Sequence, residues 1–241
     1  DQPRSRGLGD VYKRQVLDCA ILVISGTDGV QAHTRTLWRL LERYHVPTFL
    51  FVNKVDLAGA DRSAVLAGLK QHLGSGCVDF SGERDESFRE EAAVCDESVL
   101  ERYLETGVLT DGDLRRMVGK RKLFPCWFGS ALKLEGVTEF LEGLEQYAPV
   151  PAYPAEFGAR IFKIARDSQG ARLTYLKVTG GTLRVKSLLT NRRPGLGEDQ
   201  VWEEKADQIR IYSGAKFRTV EEAPAGTVCA VTGLSRSRAG E

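Results

Sequence analysis

The residues with the sharpest chemical meaning are Asn53, Lys54 and Asp56, which spell N-K-x-D at the end of the apolar run PTFLFVN. In open α/β sheets, ligands sit beyond the carboxyl ends of strands. A tetrad placed there can read guanine. The Asp56 carboxylate accepts a bidentate, charge-assisted pair from the ring N1–H and the exocyclic amine. Adenine offers no such pair of donors, so the wrong base leaves a carboxylate unpaired. Asn53 is expected to tie the loop and face the N7 edge of the base, with the stem of Lys54 lying along the ring plane. At about 5% usage for each fixed residue, a chance N-K-x-D in a chain this long arises roughly a few per cent of the time. The competing reading is a polar turn that happens to have this spelling.

A second element fits the first. Phe128-Gly129-Ser130-Ala131-Leu132 follows another apolar run. In G domains, which this pattern resembles, a short S-A-x turn at such a place presents a backbone N–H to the guanine O6, and Ala131 is the expected donor, with Ser130 and Leu132 beside it. Alone the tripeptide carries no signal; its weight comes from its position downstream of Asn53–Asp56. Phosphate chemistry has no counterpart. No G-x-x-x-x-G-K-[ST] string occurs in the sequence, and such a loop is what cradles phosphates and holds magnesium. The D-x-x-G strings at Asp56–Gly59 and Asp167–Gly170 come too late in the chain to sense a γ-phosphate. No catalytic residue and no metal ligand is therefore assigned.

The elements that must hold these residues can be read from periodicity. Val16–Ser25 and Pro47–Asn53 are near-continuous apolar runs, suited to strands buried on both faces of a parallel sheet. Thr34–His45 and Ser63–Leu73 have helical spacing. This strand–helix order implies right-handed crossovers. Residues 74–94 are polar and Gly-containing and read as an irregular excursion. Glu97–Glu105 and Asp111–Lys120 read as helices, Leu123–Gly129 as a third buried strand, and Thr138–Gln146 as the helix that covers it. The stretch APVPAYP then holds three prolines and marks a stiff linker. Beyond it, Arg160–Ile164, Leu173–Thr179, Thr182–Val185, Gln208–Tyr212 and Thr227–Val231 are short alternating runs separated by turns, the pattern of a small antiparallel barrel. The fold class is thus α/β followed by all-β.

Composition narrows the function classes. With 42% apolar and 28% charged residues, the chain has the make-up of a soluble globular protein. No apolar run approaches the ~20 residues needed to span a bilayer. Five cysteines, Cys19, Cys77, Cys95, Cys126 and Cys229, lack metal-type spacing and read as reduced thiols. The formal charge of +1 divides into −4 over residues 1–150 and +5 over residues 151–241. The basic second part suits contact with a nucleic acid backbone, and a solvated face is the alternative.

Together, Val16–Ala20 (VLDCA), Asp28–Gln31 (DGVQ) and PTFLFVNKVD resemble elongation factor G and its relatives among the translational GTPases. Asp96–Tyr103 leading into LFPCWFGSAL looks most similar to the tetracycline-resistance ribosomal protection proteins. RLTYLKVT (Arg172–Thr179), Gly180–Gly181 and QIRIYSGA (Gln208–Ala215) resemble the second domain of that group. The resemblance covers Val16–Glu241. It implies the C-terminal half of a P-loop GTPase G domain over 16–148, a linker over 149–154, and an elongation-factor-type β-barrel domain 2 over 155–241. It also implies a cytoplasmic protein whose full-length members bind GTP or GDP with Mg2+, dock on the ribosome and hydrolyse GTP there. Domain 2 would touch small-subunit RNA; no membrane, no DNA and no obligate oligomer are expected.

The departures from the family pattern lie upstream and at single positions. The phosphate loop, switches and catalytic His of the family belong before Val16, where residues 1–15 (DQPRSRGLGDVYKRQ) match nothing in it and read as a foreign leader. The chain reads as a fragment, truncated at both ends, that does not hydrolyse GTP alone. His33 opens a helix and is not the catalytic His. Cys19 stands where Gly is usual, and Leu132 where many G domains have Lys. Base contacts alone leave only ~mM affinity. Val16–Ser25, lacking its strand partner, would expose an edge that favours association. Two other classes compete: an RNA-contacting module without nucleotide, and a dinucleotide oxidoreductase. The latter needs a G-x-G-x-x-G turn after a first strand, which is absent. A signalling GTPase of another branch would lack the barrel.

Overall fold

The computed structural model describes residues 16–192, 195 and 197–241; the expected leader, 1–15, lies outside them. The chain divides into two compact units, one over Asp18–Val150 and one that includes Pro151–Glu241.

The first unit is built on four parallel strands: β1 (Ala20–Ser25), β2 (Thr48–Asn53), β3 (Cys77–Asp79) and β4 (Phe124–Phe128). Their order across the sheet is β1-β2-β4-β3. Six helices surround it: α1 (Ala32–Arg43), α2 (Arg62–His72), α3 (Glu86–Ala93), α4 (Glu97–Thr106), α5 (Asp111–Gly119) and α6 (Val137–Tyr147). The alternation of side chains along β2 sorts the core. Phe49 and Phe51 join Val78, Trp127, Met117 and Phe140 on one face. Leu50 and Val52 join Leu22, Ile24, Trp38, Leu69 and Cys126 on the other. Burial on both faces is why β2 reads as an unbroken apolar run, and each such fully buried side chain stabilises the fold by about 1.5–3 kcal/mol.

Helix starts are set by caps. Asp61, Asp85 and Asp96 accept hydrogen bonds from the first-turn N–H groups of α2, α3 and α4. Thr110 and Asp113 close a capping box at the start of α5. Each cap contributes about 1 kcal/mol. The expectation that 74–94 is irregular is corrected here. Cys77–Asp79 forms a strand beside β4, in register Cys77↔Phe124, and Glu86–Ala93 is helical. A three-residue strand offers no alternation to read, and α3 buries only Phe88, Ala92 and Ala93. Leu123–Gly129 is consequently the fourth strand in chain order, not the third. The first strand is also shorter than expected, starting at Ala20.

In the second unit a five-stranded antiparallel sheet has the order β11-β10-β13-β6-β5. Its strands are β5 (Gly158–Arg166), β6 (Arg172–Gly180), β10 (Ile209–Ser213), β11 (Lys216–Val220) and β13 (Val228–Val231). Two ribbons complete the barrel: β7 (Thr182–Arg184) with β12 (Glu222–Pro224), and β8 (Leu188–Thr190) with β9 (Glu203–Lys205). They enclose one core of Ile161, Leu176, Leu183, Leu189, Trp202, Ile209 and Cys229. The strands β8, β9, β11 and β12 add to the five runs legible in the sequence. Among the described residues, no disulfide joins any of the five cysteines.

Candidate functional site

The carboxyl end of β2 delivers Asn53 and the loop after it. Lys54 follows with φ +66°, so the chain turns sharply out of the sheet. The Asn53 side chain holds that turn: its Oδ1 accepts from Lys54 N at 2.8 Å and from Ala131 N at 2.9 Å. One amide oxygen thus fastens the loop after β2 to the loop after β4, its neighbour in the sheet. Backbone bonds reinforce the junction. Gly26 N donates to Asn53 O at 2.7 Å, and Val55 N to Gly129 O at 3.3 Å. Gly26 lies against Asn53: a Cβ there would come within 3.2 Å of the Asn53 carbonyl oxygen.

The second loop is closed on itself. Ser130 and Glu135 exchange both backbone hydrogen bonds at 3.0 Å. Gly129 is required at its base, because a Cβ there would meet Glu135 O at 2.2 Å. Gly136 then starts α6 with φ +72°. The closed turn pushes Ala131–Leu134 to the surface, and Leu132 is 93% exposed. Ser130 itself is buried.

Asp56 is half-buried between the two loops. The Ser130 hydroxyl and then the Lys133 ammonium beside it hold its carboxyl below the usual carboxylate range. Lys133 Nζ lies 3.1 Å from Asp56 Oδ2, and its own pKa is raised in turn, first by the hydrogen bond to Asp56. The result is an ionised, acceptor-only group at the carboxyl edge of the sheet, with its present partner an exposed, flexible cation. That acceptor pair is complementary to the Watson–Crick edge of guanine, which brings two N–H donors on adjacent positions.

All six residues singled out in the sequence, Asn53, Lys54, Asp56, Ser130, Ala131 and Leu132, lie on these two adjoining loops. Two details differ from expectation. The Ala131 N–H, expected to face a base oxygen, is donated to Asn53 Oδ1. Lys133, which no pattern singled out, is the cation that reaches Asp56. The only signal for it is that it is the one basic residue of the turn. A cavity of about 520 Å³ exists elsewhere, in the barrel, bordered by Ile161, Leu189, Trp202 and Glu241. Its polar groups are already engaged with one another: Glu241 accepts from Trp202 Nε1 at 3.1 Å and from Asn191 Nδ2 at 3.3 Å. Among the described residues, no group of three or more His, Cys, Asp or Glu is placed to hold a metal ion. Nor is any helix among them long and apolar enough to cross a membrane.

Comparison with known proteins matches both units. The elongation factor Tu GTP binding domain family matches residues 12–150, and elongation factor G domain 2 matches residues 156–241. The chain is 29% identical to an oxytetracycline resistance protein of Streptomyces rimosus, over 94% of this chain and 38% of that protein. It is 26% identical to elongation factor G of Ureaplasma parvum serovar 3 and 27% identical to that of Mycoplasma pneumoniae, in each case over 94% of this chain and 42% of the relative. A crystal structure of a Thermus thermophilus protein superposes with a TM-score of 0.78 at 22% identity, covering 97% of this chain and 41% of the other. The chain spans about two fifths of the length of the relatives it matches.

Proposed function

Since the chain belongs to the translational GTPases of elongation factor G type, we propose that its two joined loops are the guanine-reading pocket of a ribosome-associated GTPase of the cytoplasm. The observation that carries this reading is Asp56, held ionised beside Ser130 and Lys133 at the carboxyl end of β2. Guanine binding replaces Lys133 by the base N1–H and amine. Asn53 keeps the two loops in register, so that Asp56 and Ala131 stay at fixed spacing. The Ala131 N–H, while still bonded to Asn53 Oδ1, is shared with the base O6. Lys54 and the exposed Leu132 flank the ring plane. Bound GTP supplies the phosphoryl group whose hydrolysis drives a ribosomal cycle. No residue of this chain is assigned to the triphosphate, to Mg2+ or to hydrolysis.

The finer type we assign is ribosomal protection, supported by the likeness to the Streptomyces resistance protein and by Asp96–Tyr103 leading into LFPCWFGSAL. Small-subunit RNA is the partner we assign to the barrel, whose stretch 151–241 is net basic at +5.

Saturation-transfer NMR on the purified chain tests the pocket. GDP at ~mM concentration should receive magnetisation at its base and ribose protons, and ADP should not. Equal transfer to both nucleotides, or none to either, would remove guanine reading from this chain. Cosedimentation with small ribosomal subunits tests the partner separately.

A further inference from the structure

The outward face of the barrel's five-stranded sheet carries aromatic rings where a solvent-facing sheet surface is ordinarily polar. Phe162, Tyr175, Tyr212 and Phe217 lie in contact in that order, with ring centroids 6.2, 5.6 and 5.3 Å apart. The strip crosses the sheet from β5 to β11. Two local features build it. A register shift between Ile161 and Lys163 marks a bulge at Phe162, and both Phe162 and Lys163 reach the ring of Tyr175. Ala230 of β13 stands in register with Tyr175 on one side and Arg210 on the other. Its short side chain lets the rings of Tyr175 and Tyr212 meet across the intervening strand. The rings are not sealed in a core; Phe217 is 47% exposed.

Two cations sit on the strip. Lys163 Nζ is 5.0 Å from the centre of the Tyr175 ring, and the Arg210 guanidinium carbon is 4.5 Å from that of Phe217. Arg210 is fixed there by Asp167 at 3.0 Å and by Gln208. Contiguous rings beside an exposed cation, here Lys163, are what an unpaired nucleic-acid strand binds: bases stack on the rings and a phosphate meets the ammonium. Arg210, mostly buried and paired with Asp167, orders the strip. Two of the four rings carry hydroxyls, which suit the ribose 2′-OH of RNA.

We propose that this strip is a docking surface for an unpaired RNA segment, its bases stacked on Phe162, Tyr175, Tyr212 and Phe217. The choice of RNA as partner rests on the ribosomal reading above; the place and the single-stranded form are additional to it. Fluorescence anisotropy of the whole chain with a labelled uridine-rich RNA of about ten nucleotides, within the site sizes of single-strand binders, and with an RNA duplex of equal length, tests it. The single strand should bind more tightly than the duplex. Tyr212→Ala and Phe217→Ala should each weaken it about tenfold, Phe217→Trp should restore it, and Lys163→Gln should flatten its salt dependence. Thermal melting of each variant checks that the barrel is intact. Asp56→Asn should leave RNA binding unchanged, so failure here and failure of the guanine pocket are separate results. Equal binding of strand and duplex, or no loss in folded Tyr212→Ala and Phe217→Ala, overturns the proposal, as does a chain that binds neither RNA.

Discussion

Asp56 and Lys133 set the behaviour of the pocket at the scale of single residues. Under the proposed reading, their ion pair at 3.1 Å means that a base must displace a cation before it is read. Lys133→Ala should therefore bind GDP no more than a few-fold more tightly at neutral pH, the modest worth of an exposed pair. Weaker binding would show instead that Lys133 touches the nucleotide. The pH dependence has a definite sign. The folded carboxyl of Asp56 is depressed, so its ionised form, and the stability it lends, is present above its unfolded pKa and lost only as pH falls through the lowered value. GDP affinity should be flat from about pH 7 to about pH 5 and fall later than for an ordinary carboxylate. In Lys133→Ala the fall should begin at higher pH. The N-K-x-D spelling could be singled out because the chemistry proposed for it depends on residue type and spacing, and the S-A turn only through its position downstream of that spelling. Lys133 was not legible, since its role arises from a loop closure between Ser130 and Glu135 that no local periodicity encodes.

Packing between neighbouring elements explains both what the sequence shows and what it hides. β2 is legible because it is buried on both faces; β3 is hidden because its three residues sit inside a polar, Gly-containing stretch that masks them. Gly143 in α6 illustrates a constraint visible only in three dimensions. Replacing a helical Gly by Ala ordinarily stabilises by about 1 kcal/mol. Here a Cβ would stand 2.1 Å from the buried ring of Trp127, which is itself packed among Phe49, Phe80 and Phe140. Gly143→Ala should therefore destabilise by about 1–3 kcal/mol, read as a lowered midpoint in urea. An unchanged or raised midpoint would mean that α6 and β4 are less closely packed. In the barrel, alternating runs revealed β5, β6, β7, β10 and β13, whereas β8, β9 and β12, at three residues each, gain their order from tertiary pairing.

At the scale of the whole molecule, one unit carries a sheet whose carboxyl edge is the proposed base site and the other a barrel whose outer face carries aromatic rings. Among the described strands, β1 pairs only with β2, and Ile21 and Val23 are 45% and 59% exposed. Such an edge favours association. Sedimentation velocity on the chain should show concentration-dependent self-association, removed by the double change Ile21→Lys and Val23→Lys. A native monomer at every concentration would show that the edge is protected. The change of sign in charge between the two parts, and the Pro-rich stretch between them, were legible in composition. The proposed base reading at the sheet's edge rests on a single carboxylate, and exchanging one atom of Asp56 tests it most directly. In Asp56→Asn the side-chain amine becomes a donor, which suits the 2-oxo group of xanthine and repels the 2-amine of guanine. Titration of the native chain and Asp56→Asn with GDP and XDP should show preference for GDP in the first and for XDP in the second. Loss of GDP binding without any gain for XDP, or no change in either, would contradict base reading by Asp56.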